Sequence, residues 1–321
     1  MSLGAGTSPN SSVPQRIAVL VPCYNEELTI GSVIDSFSSA LPGAIVYMYD
    51  NNSTDKTVEV SRQHGAVVGT ESLQGKGNVV RRMFADIDAD VYVLVDGDDT
   101  YDSSCAMLLV QKLVKEGLDL VNGARLSESQ ESYRPGHRFG NMMLTSIVAW
   151  VFGDRFTDML SGYRVMSRRF VKSFPALTAG FEIETELTIH ALELRMPVAE
   201  LPTHYRPRPV GSVSKLQTFS DGFRILFTIA RLVKAERPLA FFSFFSSICV
   251  ITALVLAYPV FVTYVETGLV PRFPTAILAT GLMLLAALGA VCGLILETVT
   301  QGRREMKRLF YLSLRAVDRQ S

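Results

Sequence analysis

The sequence predicts an α/β fold with a mostly parallel sheet, followed by two membrane-crossing helices. Three observations carry that expectation. From Arg16 onward, short β-branched apolar runs alternate with helical stretches, as in βαβ units whose strands are covered on both faces. Several of these runs end in polar turn residues, and open parallel sheets bind ligands at those carboxyl ends. Two apolar stretches, 239–264 and 273–299, each exceed the roughly 20 residues that cross a bilayer.

A chain of 321 residues holds one large domain of roughly 200–250 residues plus an appendage. Lys plus Arg and Asp plus Glu both number 31, so the net charge is zero. No global basic field argues for nucleic acid, and any anion site must be built locally. The four cysteines, Cys23, Cys105, Cys249 and Cys292, show no CxxC spacing, which fits a reducing compartment without a disulfide frame or zinc site.

Taken in order, residues 1–15 are rich in Ser, Gly, Asn and Pro and lack the basic-then-apolar order of a signal peptide. They read as a disordered leader. Strands are expected at 17–21, 44–49, 66–69, 91–95 and 118–122, with helices at 26–40, 54–64, 76–88 and 102–116. The stretches 138–152 and 217–236 combine bulky apolar residues with few charges, the second carrying Arg224, Arg231 and Lys234. Both read as amphipathic helices on a membrane surface, a core helix being the alternative for the first. Arg231, Lys234 and Arg237 precede the first long apolar run, and Arg303, Arg304, Lys307 and Arg308 follow the second. The positive-inside bias puts both ends in the cytosol. A buried helical hairpin is the alternative.

The strongest chemical signal is the strand at 91–95, which delivers Asp96-Gly97-Asp98-Asp99 to one sheet edge. Asp96 and Asp98 can hold a hard Mg²⁺ or Mn²⁺ together with diphosphate oxygens. The plainer reading is an Asp-Gly turn. An EF-hand is excluded, because Tyr101 stands where the loop glycine belongs and Met107 where the bidentate acid belongs. A second strand opens into Asp50-Asn51-Asn52-Ser53-Thr54-Asp55-Lys56-Thr57. There Ser53 or Thr54 can cap the next helix, while Asp50, at a strand end, can accept hydrogen bonds from a base or ribose. The first strand runs into Pro22-Cys23-Tyr24-Asn25-Glu26-Glu27, without the G-x-G-x-x-G of dinucleotide enzymes. Gly75-Lys76-Gly77 fails as a P-loop, since Gly69 is out of register and Gly77 replaces Ser/Thr. Lys76 reads either as a phosphate ligand or as an exposed helix-start lysine. Glu182, Glu184 and Glu186 alternate at a helix start, which suggests dipole stabilisation and solvation for most of them. His64, His137, His190 and His204 form no ligand spacing and read as structural.

In order and spacing, Pro22 to Glu27, Asp50 to Thr57, Gly75-Lys76-Gly77 and Asp96-Gly97-Asp98 resemble the family 2 glycosyltransferases. Asn122-Gly123-Ala124-Arg125, Asp158 to Arg164 and Arg206 to Leu216 resemble more closely the dolichyl-phosphate mannose synthase and bacterial polyprenyl-phosphate glycosyltransferase group. The likeness covers roughly residues 16–236, and a two-helix anchor is typical of one subgroup. It implies a GT-A-type fold, an inverting transfer of one sugar from a UDP- or GDP-sugar donor, and a polyprenyl-phosphate acceptor. On that resemblance Pro22, Tyr24, Glu26 and Asp50 would hold the nucleoside, and Asp96 and Asp98 the diphosphate and metal. Arg125, Arg138, Arg206 and Lys215 would hold phosphates, with Asp158 the candidate base if one is used. Where mannose synthases often place Gln two residues after the second acid, this sequence has Thr100.

The implied plan is a leader at 1–15, a GT-A-type catalytic domain at 16–216 with its surface helix near 138–152, and a juxtamembrane helix at 217–237. Two transmembrane helices at 238–300 and a basic tail at 301–321 complete it. The chain would then be a multi-pass cell-membrane protein, its catalytic domain and both termini cytosolic, with a homo-oligomer left open. Processive synthases need more membrane helices and a Q-x-x-R-W-type motif, and neither is visible. The remaining rivals are transfer to another membrane glycolipid or polysaccharide, and a non-catalytic nucleotide-binding membrane scaffold.

Overall fold

The structure, a computed structural model, describes residues 16–126, 156–176, 178–180, 182–208 and 234–316. They fall in two compact units. One lies within Met1–Thr145, Asp154–Lys215 and Phe310–Ser321, the other within Ser146–Gly153 and Leu216–Leu309. The expected surface helices at 138–152 and 217–236 fall outside the described residues except for 234–236, which are helical.

The first unit is built on a seven-stranded sheet. Its first half follows the expected alternation: β1 (Ile17–Cys23), α1 (Ile30–Ala40), β2 (Ile45–Asp50), α2 (Thr57–Gln63), β3 (Val67–Thr70), α3 (Lys76–Asp86), β4 (Val91–Leu94), α4 (Ala106–Glu116) and β5 (Leu120–Leu126). Then come β6 (Arg164–Ser167), α5 (Arg168–Ser173), α6 (Ile183–Glu193) and β7 (Val198–His204). The strand order is β3-β2-β1-β4-β6-β5-β7, with β6 antiparallel to both neighbours and every other pairing parallel.

Period-2 alternation in β1 and β4 sends side chains to two buried faces. Val19, Val21, Val91 and Val93 join Ile30, Val33, Ile34 and Phe37 of α1 and Leu109, Val110 and Leu113 of α4 in one core. On the opposite face Tyr92 meets Phe84 of α3, which in turn meets Phe174 after α5, all edge-on. His190 of α6 is buried against Phe170 and Phe174 and bonds Ser173. Because strands so covered have no wet face, their runs are apolar throughout.

The single antiparallel strand has a consequence for the edge. Since β6 runs against β4, pairing Leu94 with Arg164, the chain just before β6 arrives at the edge where β1, β2, β4, β5 and β7 end. Arg164 anchors this arrival. It is fully buried, donates to the carbonyls of Ser161 and Met159 and to Thr188 Oγ1, and burial lowers its pKa to about 10.

The second unit contains α7 (Pro238–Thr267) and most of α8 (Phe273–Ser313). Both are long and apolar enough to cross a membrane, and large apolar side chains such as Phe245, Leu254, Phe261, Leu284, Leu288 and Ile295 are exposed, which suits hydrocarbon better than water. At their ends Glu236 takes Arg303 at 2.8 Å and Arg304 at 3.0 Å. The second helix does not stop with its apolar run: it continues through the basic segment to Ser313, since 300–313 holds no Pro and keeps residues of good helix propensity.

Candidate active site

Three loops at the carboxyl edge, after β1, β2 and β4, carry the sequence motifs, and their polar residues lace them together. The amides of Asn25 and Glu26 donate to Ser53 Oγ and Thr57 Oγ1, both at 2.8 Å, and the Thr54 amide returns a bond to Asn25 Oδ1 at 2.8 Å. Thr29 Oγ1 donates to the Gly97 carbonyl at 2.7 Å. Ser53 and Thr54 therefore do not cap α2, as the sequence had suggested. Ser53 ties two loops, and Asp55 accepts from the Thr57 amide at 3.0 Å instead. Asp50 is buried and accepts from the Ser53 amide at 3.3 and 3.2 Å, which shapes the loop after β2; Pro22 pairs with Tyr49 in the sheet, and in the loop after β1 Tyr24 is exposed and Glu26 half-buried.

The acid loop has its own clamps. Thr100 Oγ1 donates to Asp98 Oδ1 at 2.6 Å, so the hydroxyl at the departing position supports the acid. The Arg206 amide donates to the Thr100 carbonyl at 2.8 Å, and Tyr101 bridges Tyr205. The Gly162 amide donates to Tyr101 Oη at 2.7 Å. A Cβ on Gly162 would lie 2.4 Å from Asp96 Oδ2, so glycine lets the backbone before β6 come up against that carboxylate where it stands.

Around Asp96 and Asp98 the structure gathers charges that the sequence did not associate. Lys76 Nζ pairs with Asp96 Oδ1 and, at 2.5 Å, with Glu184 Oε1. Burial alone would lower the Lys76 pKa, but the two carboxylates outweigh it and raise the value. Lys76 is thus neither an exposed helix-start lysine nor open to solvent. The glycine motif explains how it gets there: a Cβ on Gly77 would lie 2.2 Å from the Thr178 carbonyl, so glycine lets the chain before α6 sit directly on the start of α3. Asp98 is 4% exposed and pairs with Arg208 Nη2 at 2.7 Å. Its pKa is raised by burial first and by Asp96 next, against the opposing effects of Thr100 and Arg208.

Three residues have surroundings that the sequence did not show. Arg125, expected at a phosphate, forms a bidentate pair with Asp158, Nε to Oδ2 at 2.7 Å and Nη2 to Oδ1 at 2.8 Å. Asp158, the candidate base, is the partner in this pair. Burial raises its pKa, but the bonds from Arg125 prevail and lower it. Glu184, one of three acids of which most were expected to be solvated, is 5% exposed. Arg206 is exposed, 3.8 Å from Asp102. Arg138 and Lys215 lie outside the described residues. Glu184 and Arg208 are the site residues that sequence reasoning missed. The only signal for Arg208 was its place two residues after Arg206, and none marked Glu184 among three alternating acids.

Asp96, Asp98, Glu184 and nearby Glu26 stand against Lys76, Arg208 and the buried Arg164 near Glu184, a local excess of one negative charge when all are ionised. That excess and the hard oxygen donors fit a divalent cation such as Mg²⁺ or Mn²⁺. Among the described residues no third His, Cys, Asp or Glu completes a protein-only metal cage, so water or substrate oxygens would complete the set.

Comparison with known proteins bears on this arrangement. The model for the family "Glycosyl transferase family 2" matches residues 18–174. The chain is 32% identical over 305 residues to Glycosyltransferase AglJ of Haloferax volcanii, covering 92% of this chain and 98% of that protein. It is 29% identical over 221 residues to the Dolichyl-phosphate hexose transferase of the same organism, covering 69% and 95%. Among solved structures, glucosyl-3-phosphoglycerate synthase from Mycobacterium tuberculosis, in complex with Mn²⁺, UDP and glucosyl-3-phosphoglycerate, aligns with a TM-score of 0.55 at 26% identity. It covers 69% of this chain and 80% of that one.

Proposed function

Because this chain belongs to glycosyl transferase family 2, we propose that it moves a single sugar, with inversion, from a UDP- or GDP-sugar to a polyprenyl phosphate at the cytosolic membrane face. The observation that carries this reading is the acid pair Asp96 and Asp98 at the end of β4, held in a net-negative pocket beside the loops that follow β1 and β2. The match to a dolichyl-phosphate hexose transferase and the two long apolar helices support a lipid acceptor.

In this reading Pro22, Tyr24, Glu26 and Asp50 hold the nucleoside, and residues 16–216 form the catalytic domain. A divalent cation bound by Asp96 and Asp98 would supply charge neutralisation for the leaving diphosphate. An oxygen of the acceptor phosphate bonds to the anomeric carbon as the bond from that carbon to the donor diphosphate breaks, and the nucleoside diphosphate leaves with the electron pair. The acceptor phosphate, with a second pKa near about 6, is already a competent nucleophile, so Asp158 can serve Arg125 without being needed as a base. Arg206, Arg138 and Lys215 hold the acceptor phosphate, arginine offering a planar fork that matches phosphate oxygens.

Membranes carrying the full chain, incubated with a panel of UDP- and GDP-sugars and polyprenyl phosphate, test the proposal. A lipid product heavier by one sugar residue is expected for one donor. Absence of such a product across the panel, or sugar found only on a lipid without phosphate, overturns it.

A further inference from the structure

We propose that Lys76 is an exchangeable cation of the acid site, and that Glu184 is the positioning residue that keeps it there when a divalent cation takes Asp96. The inference rests on reading Asp96 and Asp98 as a divalent-cation site. Lys76 opens α3, where the helix dipole disfavours a positive charge, and its side chain is only 9% exposed. Two carboxylates from different elements hold it in place, Asp96 beyond β4 and Glu184 in the first turn of α6.

The two partners are not equivalent. Asp96 reaches the ammonium with Oδ1 while Oδ2 lies against Gly162, and its side chain stays 28% exposed. Glu184 uses only Oε1 for the ammonium, and its Oε2 is buried without a hydrogen-bond partner. A buried acceptor left unmade is costly, and an ammonium carries three donors. Glu184 therefore holds an acceptor in reserve beside the lysine. When Asp96 is claimed by a divalent cation, Lys76 gives up Asp96 Oδ1 and turns that N–H to Glu184 Oε2. It stays within the site, its charge available to donor phosphate, and is not expelled into solvent. Without Glu184, Lys76 loses the carboxylate that draws it away from Asp96 Oδ1 and competes with the metal there.

The test titrates Mn²⁺ into the full chain in detergent micelles, alone and with UDP or GDP, and reads unbound Mn²⁺ by electron paramagnetic resonance. Glu184→Gln should bind Mn²⁺ about tenfold more weakly than the unaltered chain, the scale of one charge-assisted hydrogen bond. Lys76→Met combined with Glu184→Gln should bind about tenfold more tightly than Glu184→Gln alone, since the competitor is gone. This double variant removes the lysine and the glutamate of the pair together, where Lys76→Met by itself leaves buried Glu184 without its ammonium. The proposal is overturned if Glu184→Gln leaves Mn²⁺ affinity unchanged, if the double variant binds no more tightly than Glu184→Gln, or if the unaltered chain binds no Mn²⁺ in any of the three conditions. No turnover is read, so failure here leaves the transferase reading to stand or fall on its lipid-product assay.

Discussion

Replacing Asp158 with Asn separates a general base from a structural counter-ion. The carboxylate is 6% exposed and accepts from Arg125 Nε at 2.7 Å, Arg125 Nη2 at 2.8 Å, and the Arg125 and Leu160 amides at 3.2 Å. Breaking one side of a buried ion pair costs about 3–5 kcal/mol. Arg125 keeps some solvent and lies 5.6 Å from the Tyr205 ring centre, so about 2–3 kcal/mol is expected here, or a fall in Tm of about 5–10 °C for a domain of this size. The pH dependence has a definite sign. The folded pKa is depressed, so the ionised carboxylate favours the folded state. Its contribution is fully present above the unfolded value of about 3.9 and is lost as pH falls through the lower folded value. Thermal unfolding of the full chain in micelles should therefore show a penalty for Asp158→Asn at neutral pH that shrinks toward about pH 3. In a cycle with Arg125→Met the two losses should couple rather than add. A variant with unchanged Tm whose turnover falls more than about a hundredfold, the scale of a lost general base, would refute the counter-ion assignment.

Other perturbations test neighbouring claims. Asp98→Asn should leave the chain folded while lowering turnover by about a hundredfold or more; near-normal turnover with unchanged Mg²⁺ or Mn²⁺ dependence would remove this acid from the metal site. Arg206→Ala should weaken acceptor use more than donor binding, with Lys a partial rescue, and equal loss of nucleotide-sugar affinity by calorimetry would move the residue to the donor side. Tyr311 Oη donates to buried Asp119 at 2.5 Å, beside Arg169 and Ser167. Tyr311→Phe should therefore cost about 1–2 kcal/mol of stability, read by thermal unfolding, without altering substrate affinities; an unchanged Tm would show that Asp119 is satisfied without it.

Much of this protein was written locally. The alternation of β-branched runs and helical stretches placed β1 through β5 to within a few residues, because strand and helix periods are properties of adjacent side chains. Asp96 and Asp98 were legible because a strand end brings its own acids to the edge whatever the rest of the chain does. Membrane-crossing capacity was legible too, since it depends on length and composition. The pairing of charges was not. Lys76 and Glu184 are 108 residues apart, and Arg125 and Asp158 are 33 apart. Sequence shows that an arginine or glutamate exists, not which opposite charge will neutralise it. That choice followed from one antiparallel strand, β6, which carries Asp158 and Gly162 to the edge where β4 and β5 end, and from α6 burying Glu184 against Lys76. Burial then decided the chemistry: away from water an unpaired charge is untenable, so each of these groups took the partner that tertiary packing placed within reach.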